Sequence, residues 1–410
     1  MTDATLRGAL WICDYFPRPH DMTTGTWALE SVAAIAQAGL PVSVMAPTPW
    51  IPRPLALDRA LRDWAEVPPY AKLRGVPIYY PRMPHYPRKW VHDRVYQRLP
   101  VLDTALLWPW CARAAARIMA EHPFDVVHAN FLFPSGYIGL RLKEQYGTPL
   151  VVQERSVQRL AMARANQARA RAYRRILKAS DVVITQNEGM AASLRDFEPG
   201  IRDLRVVKQP GAYPERVASL RRPRPADFAG KRVVLSVGTL SVRKGHEYLV
   251  RAVAAIRDEF PDLVCRIIGD GPERRKLGDL VADLGLGGIV ELCGKRPHAE
   301  VLGEMSWCDV FALASWGEAD GTVYGEAAQF GTPVIACADE GIAEVVEDRV
   351  HGRLVPARDS AALAEALRWL LADPARRAEV GAAARVLAEE KLSYPKLAER
   401  LIGLYGGLVS

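Results

Sequence analysis

Short apolar runs alternate with longer amphipathic stretches along the whole chain, and most of the runs stop at a glycine or a polar residue. Such runs are too short for buried helices and fit strands covered on both faces. Residues 8–13 predict a strand, followed by a loop with Thr24-Gly25-Thr26, a helix over about 27–38 stopped by Gly39, and a second strand over 41–46. Further along, the pattern predicts a helix over about 102–121, a strand over 125–130, a helix closing at 140–145 and a strand over 149–152. One Ala/Arg-rich helix over 157–179 and strands over 181–185 and 204–208 complete the first half. The second half predicts strands over 232–237, 264–268, 289–293, 310–314, 334–337 and 353–355. Helices alternate with them from about 246–260 to the amphipathic stretches 360–390 and 393–404. This order means an α/β fold of doubly wound parallel sheets, with ligands at the carboxyl ends of the strands.

The pattern breaks over residues 47–100, rich in Pro, Trp, Tyr, Arg and Lys, with one embedded strand at 76–80. Tyr79, Tyr80, Tyr86 and Trp90 interleave there with Arg82, Arg88, Lys89 and Arg94. That mixture suits a membrane interface, aromatics at headgroup level and cations on anionic lipid. A Pro-rich loop packing its aromatics on its own domain fits as well. A second break, the Arg/Pro run 221–225, reads as linker. The expected domains are 1–210 and 211–392, with a C-terminal helix, about 393–410, free to pack back on the first.

Two domains are also what 410 residues lead one to expect. A net charge of +7 suits an anionic ligand, an anionic lipid surface or nucleic acid, and does not choose among them. The six cysteines are scattered, with no Cys-x2-Cys pair, so they read as buried free thiols in a reducing compartment. No signal peptide and no apolar run of membrane-spanning length is seen, which predicts a cytoplasmic protein that still has room to rest on a membrane.

The stretch from Ser315 to Cys337, SWGEADGTVYGEAAQFGTPVIAC, carries the most chemistry. It reads strand, loop, helix, turn, strand, with Gly331 as the left-handed residue that stops the helix. Amides of Gly321, Thr322 and Val323 open the helix, and such amides suit a phosphate. Glu318 and Glu326 flank them eight residues apart. A diphosphate between two carboxylates suggests a nucleotide sugar, one carboxylate accepting from sugar hydroxyls and the other from ribose. Taken alone, two such glutamates also fit solvated surface residues.

The Glu-x7-Glu spacing followed by Ala-Ala-Gln-Phe-Gly-Thr-Pro-Val-Ile resembles the signature of family 4 of the retaining glycosyltransferases. The resemblance is strong over residues 233–356 and fainter before them. It implies the GT-B architecture, two facing Rossmann-like doubly wound domains with the active site in the cleft between them. In Gly238-Thr239-Leu240-Ser241-Val242-Arg243-Lys244-Gly245, the family's Lys-Gly is present and its Arg is replaced by Thr239, so Arg243 is the candidate substitute. Gly269-Asp270-Gly271-Pro272 matches a stretch expected to line the nucleotide pocket, although a bare Gly-x-Gly also marks a plain turn. Lys295 or Arg296, after Gly294, would stack on the base. His128-Ala129-Asn130 stands where the family has His-x-His, and Gln153-Glu154-Arg155 where it often has His-Gly-x-Asp. Both departures lie on the acceptor side, with Gly25, whose backbone either approaches a ligand or simply makes a tight turn.

What the resemblance implies is transfer of a sugar from a UDP or GDP sugar to an acceptor hydroxyl with retention. The setting it implies is bacterial polysaccharide or glycoconjugate biosynthesis, with a sugar or lipid-linked acceptor at the inner face of the plasma membrane. Glu318, Lys244, His128 and Asn130 are the candidate catalytic residues. Gly238, Arg243, Lys244, Gly269, Gly271, Lys295, Arg296, Gly321, Thr322, Val323 and Glu326 are the candidate donor-binding residues. Gly25, Glu154 and Arg155 face the acceptor. With no Asp-x-Asp motif in the sequence, no metal and no other cofactor is expected, and cations and helix amides would neutralise the diphosphate. The rivals are another GT-B-like sugar enzyme, an epimerase or phosphorylase, and a basic nucleic-acid-binding protein. The first would need a signature such as a cofactor lysine, and the second would need a recognised motif.

Overall fold

A computed structural model describes residues 6–22, 24–83, 100–317 and 321–409. It divides into two compact units, the first comprising Met1–Val207 and Leu397–Ser410, the second Lys208–Lys396. The division falls a few residues before the expected boundary, and the end of the C-terminal helix belongs to the first unit.

The first unit begins with β1 (Ala9–Cys13), α1 (Thr26–Gln37), β2 (Val42–Met45) and β3 (Thr48–Pro49). It continues through α2 (Arg59–Ala65), β4 (Tyr70–Leu73), β5 (Val76–Tyr79), β6 (Arg82–Met83) and α3 (Pro100–Glu121). Then come β7 (Val126–Asn130), α4 (Tyr137–Tyr146), β8 (Leu150–Gln153), α5 (Val157–Arg164), α6 (Gln167–Ala179), β9 (Val182–Thr185), α7 (Glu188–Phe197) and β10 (Leu204–Val206). Among the described residues the main sheet runs β10-β9-β8-β7-β1-β2-β5-β4 and is parallel except at β4. Strand order reverses between β1 and β7, the crevice at which doubly wound sheets bind ligands.

Two differences from expectation have local causes. The single helix expected over 157–179 is two, because Asn166 accepts from the Arg169 amide at 3.0 Å and starts a new helix there. Helix α7 was not expected, although Asn187 caps it in the same way, accepting from the Met190 amide at 2.7 Å.

The segment expected to face a membrane is partly spent inside this unit. Tyr79 and Tyr80 are buried, Tyr80 donating to the Pro17 carbonyl at 2.8 Å. Arg82 donates to the carbonyls of Ala65 and Val67, at 3.2 and 2.6 Å. Tyr86, Arg88, Lys89, Trp90 and Arg94 lie outside the described residues. Trp50, Leu55 and Leu57, close together in sequence, are exposed. Among the described residues no helix is long and apolar enough to cross a membrane.

The second unit contains α8 (Val217–Leu220), β11 (Arg232–Val237), α9 (His246–Ile256), β12 (Leu263–Ile268), α10 (Arg274–Asp283), β13 (Val290–Gly294) and α11 (His298–Met305). After β14 (Val310–Ala312) come α12 (Thr322–Ala328), β15 (Val334–Cys337), β16 (Gly352–Val355), α13 (Ser360–Leu371) and α14 (Pro374–Lys391). Its sheet is parallel in the order β13-β12-β11-β14-β15-β16, and separate apolar cores cover the two faces. Here the order reverses between β11 and β14. The unit's first residue is anchored within it: the buried Lys208 ammonium donates to the Gly341 carbonyl at 2.9 Å and pairs with Glu344 at 2.6 Å. The cysteines are free thiols, all buried except the half-buried Cys293.

The last helix, α15 (Tyr394–Val409), returns Tyr405 to the core of the first unit. Its hydroxyl accepts from Trp11 Nε1 at 3.1 Å and lies 2.6 Å from His128 Nδ1. Trp11 and His128 face each other across β1 and β7 with stacked rings 4.2 Å apart. A hydroxyl has two acceptor lone pairs and one proton, so it can accept from Trp11 Nε1 and still share a hydrogen bond with His128 Nδ1 in either ring tautomer. Tyr405→Phe leaves both ring nitrogens buried without a partner, at roughly 1–3 kcal/mol each. We expect it to lower the unfolding free energy accordingly in urea titrations. A melt identical to wild type would show that the network contributes nothing.

Candidate functional site

In the second unit the loops after β11 and β14 meet at the strand-order reversal. Gly245, at φ 70°, caps α9, and a Cβ there would overlap the Ala314 carbonyl oxygen. The Trp316 amide donates to the Arg243 carbonyl at 2.9 Å, joining the lysine-bearing loop to the loop before Glu318. That loop is held from its other side by the Glu340 carboxylate, which accepts from the Gly317 amide at 2.7 Å. Glu318 itself lies outside the described residues. Lys244 is half-buried and passes Gly238, whose added Cβ would lie 3.4 Å from the lysine Cδ. Arg243 is exposed and reaches toward the Gly317 carbonyl.

Two of the predicted glycines are explained by backbone crowding. A side chain on Gly269 would overlap the Gly238 carbonyl, and one on Gly271 would overlap that of Leu240. Both therefore hold the loops after β11 and β12 against each other, and neither is a plain turn. The Gly269 amide donates to Gly294 at 3.0 Å, which brings the loop after β13 alongside. Lys295 and Arg296 are exposed on that loop.

Helix α12 is seven residues long, so its dipole is small and what it offers is the unbonded amides of its first turn. Gly321 precedes it in a left-handed conformation, with Thr322 and Val323 half-buried. A side chain on Gly211 would overlap the Thr322 carbonyl, so the segment after Lys208 lies directly on this helix. Gln329, fully buried, accepts from the Tyr213 amide at 2.7 Å and donates to the Glu326 carbonyl at 2.9 Å. The Glu326 carboxylate is 14% exposed and meets His298 Nε2 at 3.1 Å. His298 was not singled out in the sequence, although its place just after a strand-end loop was a signal. Among the described residues no group of three His, Cys, Asp or Glu could hold a metal ion.

The first unit also gathers predicted residues at its reversal, and it buries most of them. Asn130 ends β7 beside Cys13 and Gln153 and is buried, with neither side-chain amide atom hydrogen-bonded among the described residues. His128 is fully buried and burial pulls its pKa down to about 3, so it is neutral. Glu154 is buried too. It accepts from the amides of Leu132, Arg155 and Ser156 at 3.1, 2.9 and 2.9 Å, while burial pushes its pKa up. It braces the loop after β7 and does not face an acceptor. Gly25 is buried, and a Cβ there would overlap the Tyr15 carbonyl, so its close approach is to the protein's own backbone.

Arg155 remains at the surface of this region, its guanidinium 3.4 Å over the Trp27 ring. Beside it is Arg159, missed in the sequence because it sits in an arginine-rich stretch. It donates to the Phe133 carbonyl at 2.8 Å, lies over the Phe131 ring and pairs with Asp14 at 3.6 Å. His246 in the second unit is likewise buried, its pKa pulled down to about 4 by burial and by Lys244.

Comparison with known proteins agrees with both halves. A family described as Glycosyl transferases group 1 matches residues 221–387, and one described as Glycosyltransferase Family 4 matches residues 24–208. The chain is 30% identical to a D-inositol 3-phosphate glycosyltransferase of Stackebrandtia nassauensis, covering 70% of this chain and 69% of that one. It is 29% identical to a GDP-mannose-dependent alpha-(1-6)-phosphatidylinositol monomannoside mannosyltransferase of Mycolicibacterium smegmatis, covering 73% and 81%. Among solved structures, Anabaena HepE in complex with UDP superimposes with a TM-score of 0.69 at 18% identity, over 98% of this chain and all of that one. With its signature stretch, its two doubly wound units and these relatives, the chain belongs to family 4 of the glycosyltransferases and has the GT-B fold.

Proposed function

We propose that this glycosyltransferase moves a hexose from a nucleoside diphosphate sugar to an acceptor hydroxyl with retention at the anomeric carbon. The observation that carries the reading is the junction of the loops after β11 and β14, which brings the Lys244 loop against the segment leading to Glu318 and α12. Lys244, with Arg243 and the α12 amides, would stabilise the leaving diphosphate. Glu318 would hold the donor sugar, Glu326 the ribose, and Lys295 or Arg296 the base. UDP in the HepE complex and GDP-mannose in the mycobacterial relative support a nucleotide donor of either base.

Retention is supported by which groups are withdrawn. His128 is neutral and buried, Glu154 is tied to three amides, and Asn130 carries no titrating proton. None of them is placed to be a base or a covalent nucleophile. Same-face displacement, with the leaving phosphate taking the acceptor's proton, needs no such group. On the acceptor side this leaves Arg155 as the cation for a polar or anionic acceptor.

A lipid-linked acceptor at the inner face of the plasma membrane is the finer part of the proposal. The phosphatidylinositol-based name of the mycobacterial relative and the exposed Trp50, Leu55 and Leu57 support it.

Three outcomes check these readings. Lys244→Ala should lower kcat by about 100-fold with a smaller change in KM, because charge on the diphosphate grows in the transition state. If kcat stays near wild type while KM rises, Lys244 binds only the ground state. Activity should survive excess EDTA, since the cations and amides carry the neutralisation. Loss that manganese or magnesium restores would reveal a metal requirement. Finally, the protein should co-sediment with anionic vesicles at low salt, and Trp50→Ser with Leu57→Ser should reduce the bound fraction roughly tenfold. Wild-type protein that ignores such vesicles points to a soluble acceptor.

A further inference from the structure

The backbone around Glu326 is fixed from several directions. Gly211 lies against the Thr322 carbonyl, and the Gln329 side chain ties the Glu326 carbonyl to the segment at Tyr213. What remains free to vary is the Glu326 side chain itself. One of its oxygens, Oε1, accepts from His298 Nε2 at 3.1 Å, and Oε2 has no hydrogen-bond partner among the described residues. His298 stands at the first position of α11, just after Lys295 and Arg296, and its side chain is 56% exposed against 14% for Glu326. The more accessible group thus holds the less accessible one.

We infer that His298 is a positioning residue for the donor nucleotide: it holds the Glu326 carboxylate in one rotamer, so that Oε2 is presented to the ribose hydroxyls. This rests on the ribose reading of Glu326. A glutamate has three rotatable side-chain bonds, and a carboxylate already held in its bound geometry loses less freedom when ligand arrives. The imidazole can donate from Nε2 whether neutral or protonated, so the brace does not depend on its charge. Binding contacts held by a supporting shell are the ones that keep their geometry.

The test compares wild type, His298→Ala, His298→Gln and Glu326→Ala by isothermal titration with UDP and GDP. Whichever binds more tightly is then repeated as its 2′,3′-dideoxy form. His298→Gln keeps a donor near the Nε2 position, and His298→Ala removes it. The expected result is a loss of about 3- to 10-fold in nucleotide affinity for His298→Ala, recovered within about 2-fold by His298→Gln. With the dideoxy nucleotide, wild type and His298→Ala should bind alike, because the hydroxyls that read Glu326 are gone. If Glu326→Ala weakens binding and His298→Ala does not, the positioning role is overturned and the ribose reading stands. If neither variant weakens binding, the ribose reading fails and the inference falls with it. If His298→Ala weakens the dideoxy and ordinary nucleotides equally, His298 acts on the fold or another part of the ligand, which also overturns it.

Discussion

No side chain fits between Gly245 and the carbonyl of Ala314, and the candidate donor site depends on that contact. It closes the distance between the loops after β11 and β14, the two strands between which the sheet reverses direction. Reversal splays the following helices to opposite faces and opens a crevice at the strand ends. Here the crevice is lined by backbone in contact with backbone: Gly245 on Ala314, Gly269 on Gly238, Gly271 on Leu240, Gly211 on Thr322. Each approach removes a degree of freedom from a loop that must present amides and a cation at fixed positions. The restraint sits in the scaffold, so the few side chains that would meet the ligand can be long and polar.

The first unit has the same topology and a different filling. At its reversal the strand ends carry His128, Asn130 and Glu154, all fully buried. Taking an ionisable group out of water disfavours its charged form. That is visible in the low pKa of His128 and the raised pKa of Glu154. Partners satisfy them in part: Tyr405 meets His128 Nδ1 and three backbone amides meet Glu154, while His128 Nε2 and the Asn130 amide have no hydrogen-bond partner among the described residues. The residues that depart from the family's His-x-His and His-Gly-x-Asp thus serve the interior of this unit. Arg155 and Arg159, on the loop and helix after β8, carry the positive charge nearer the surface of this region.

Much of this was legible in the chain. Strands read correctly where apolar runs met a Gly-rich loop, since burial on both faces leaves no alternative pattern. The Glu-x7-Glu stretch read correctly as strand, loop, helix and turn because Gly321 and Gly331 punctuate it, and both have positive φ. The break at Asn166 was missed because Ala and Arg propagate a helix so readily that one capping side chain was outweighed. The burial of His128 and Glu154 was not legible, for a different reason. Position at a strand end is a sequence property, whereas the depth of a side chain depends on what covers it, and for His128 that includes Tyr405, distant in the chain. Nothing near residue 128 announces that partner. His298 was hidden for the same reason, since its link to Glu326 joins two helices that follow different strands.

The buried His246 shows how the same physics serves the charge balance at the candidate donor site. His246 follows the Lys244–Gly245 pair directly, and a protonated imidazole there would add a second buried cation beside the lysine. Burial and the lysine's own field both act against that, and its pKa falls to about 4. The Ser236 hydroxyl lies 3.3 Å from its Nδ1, within hydrogen-bond range of a neutral ring. A neutral histidine can pack under the loop without repelling Lys244, so the cation can stay half-buried without a second charge beneath it. The positive charge that a diphosphate would meet is then concentrated on the lysine and, at the loop's exposed edge, on Arg243. Concentrating it in a partly desolvated crevice gives each charge more effect than the same charges spread over the surface, where water and salt screen them.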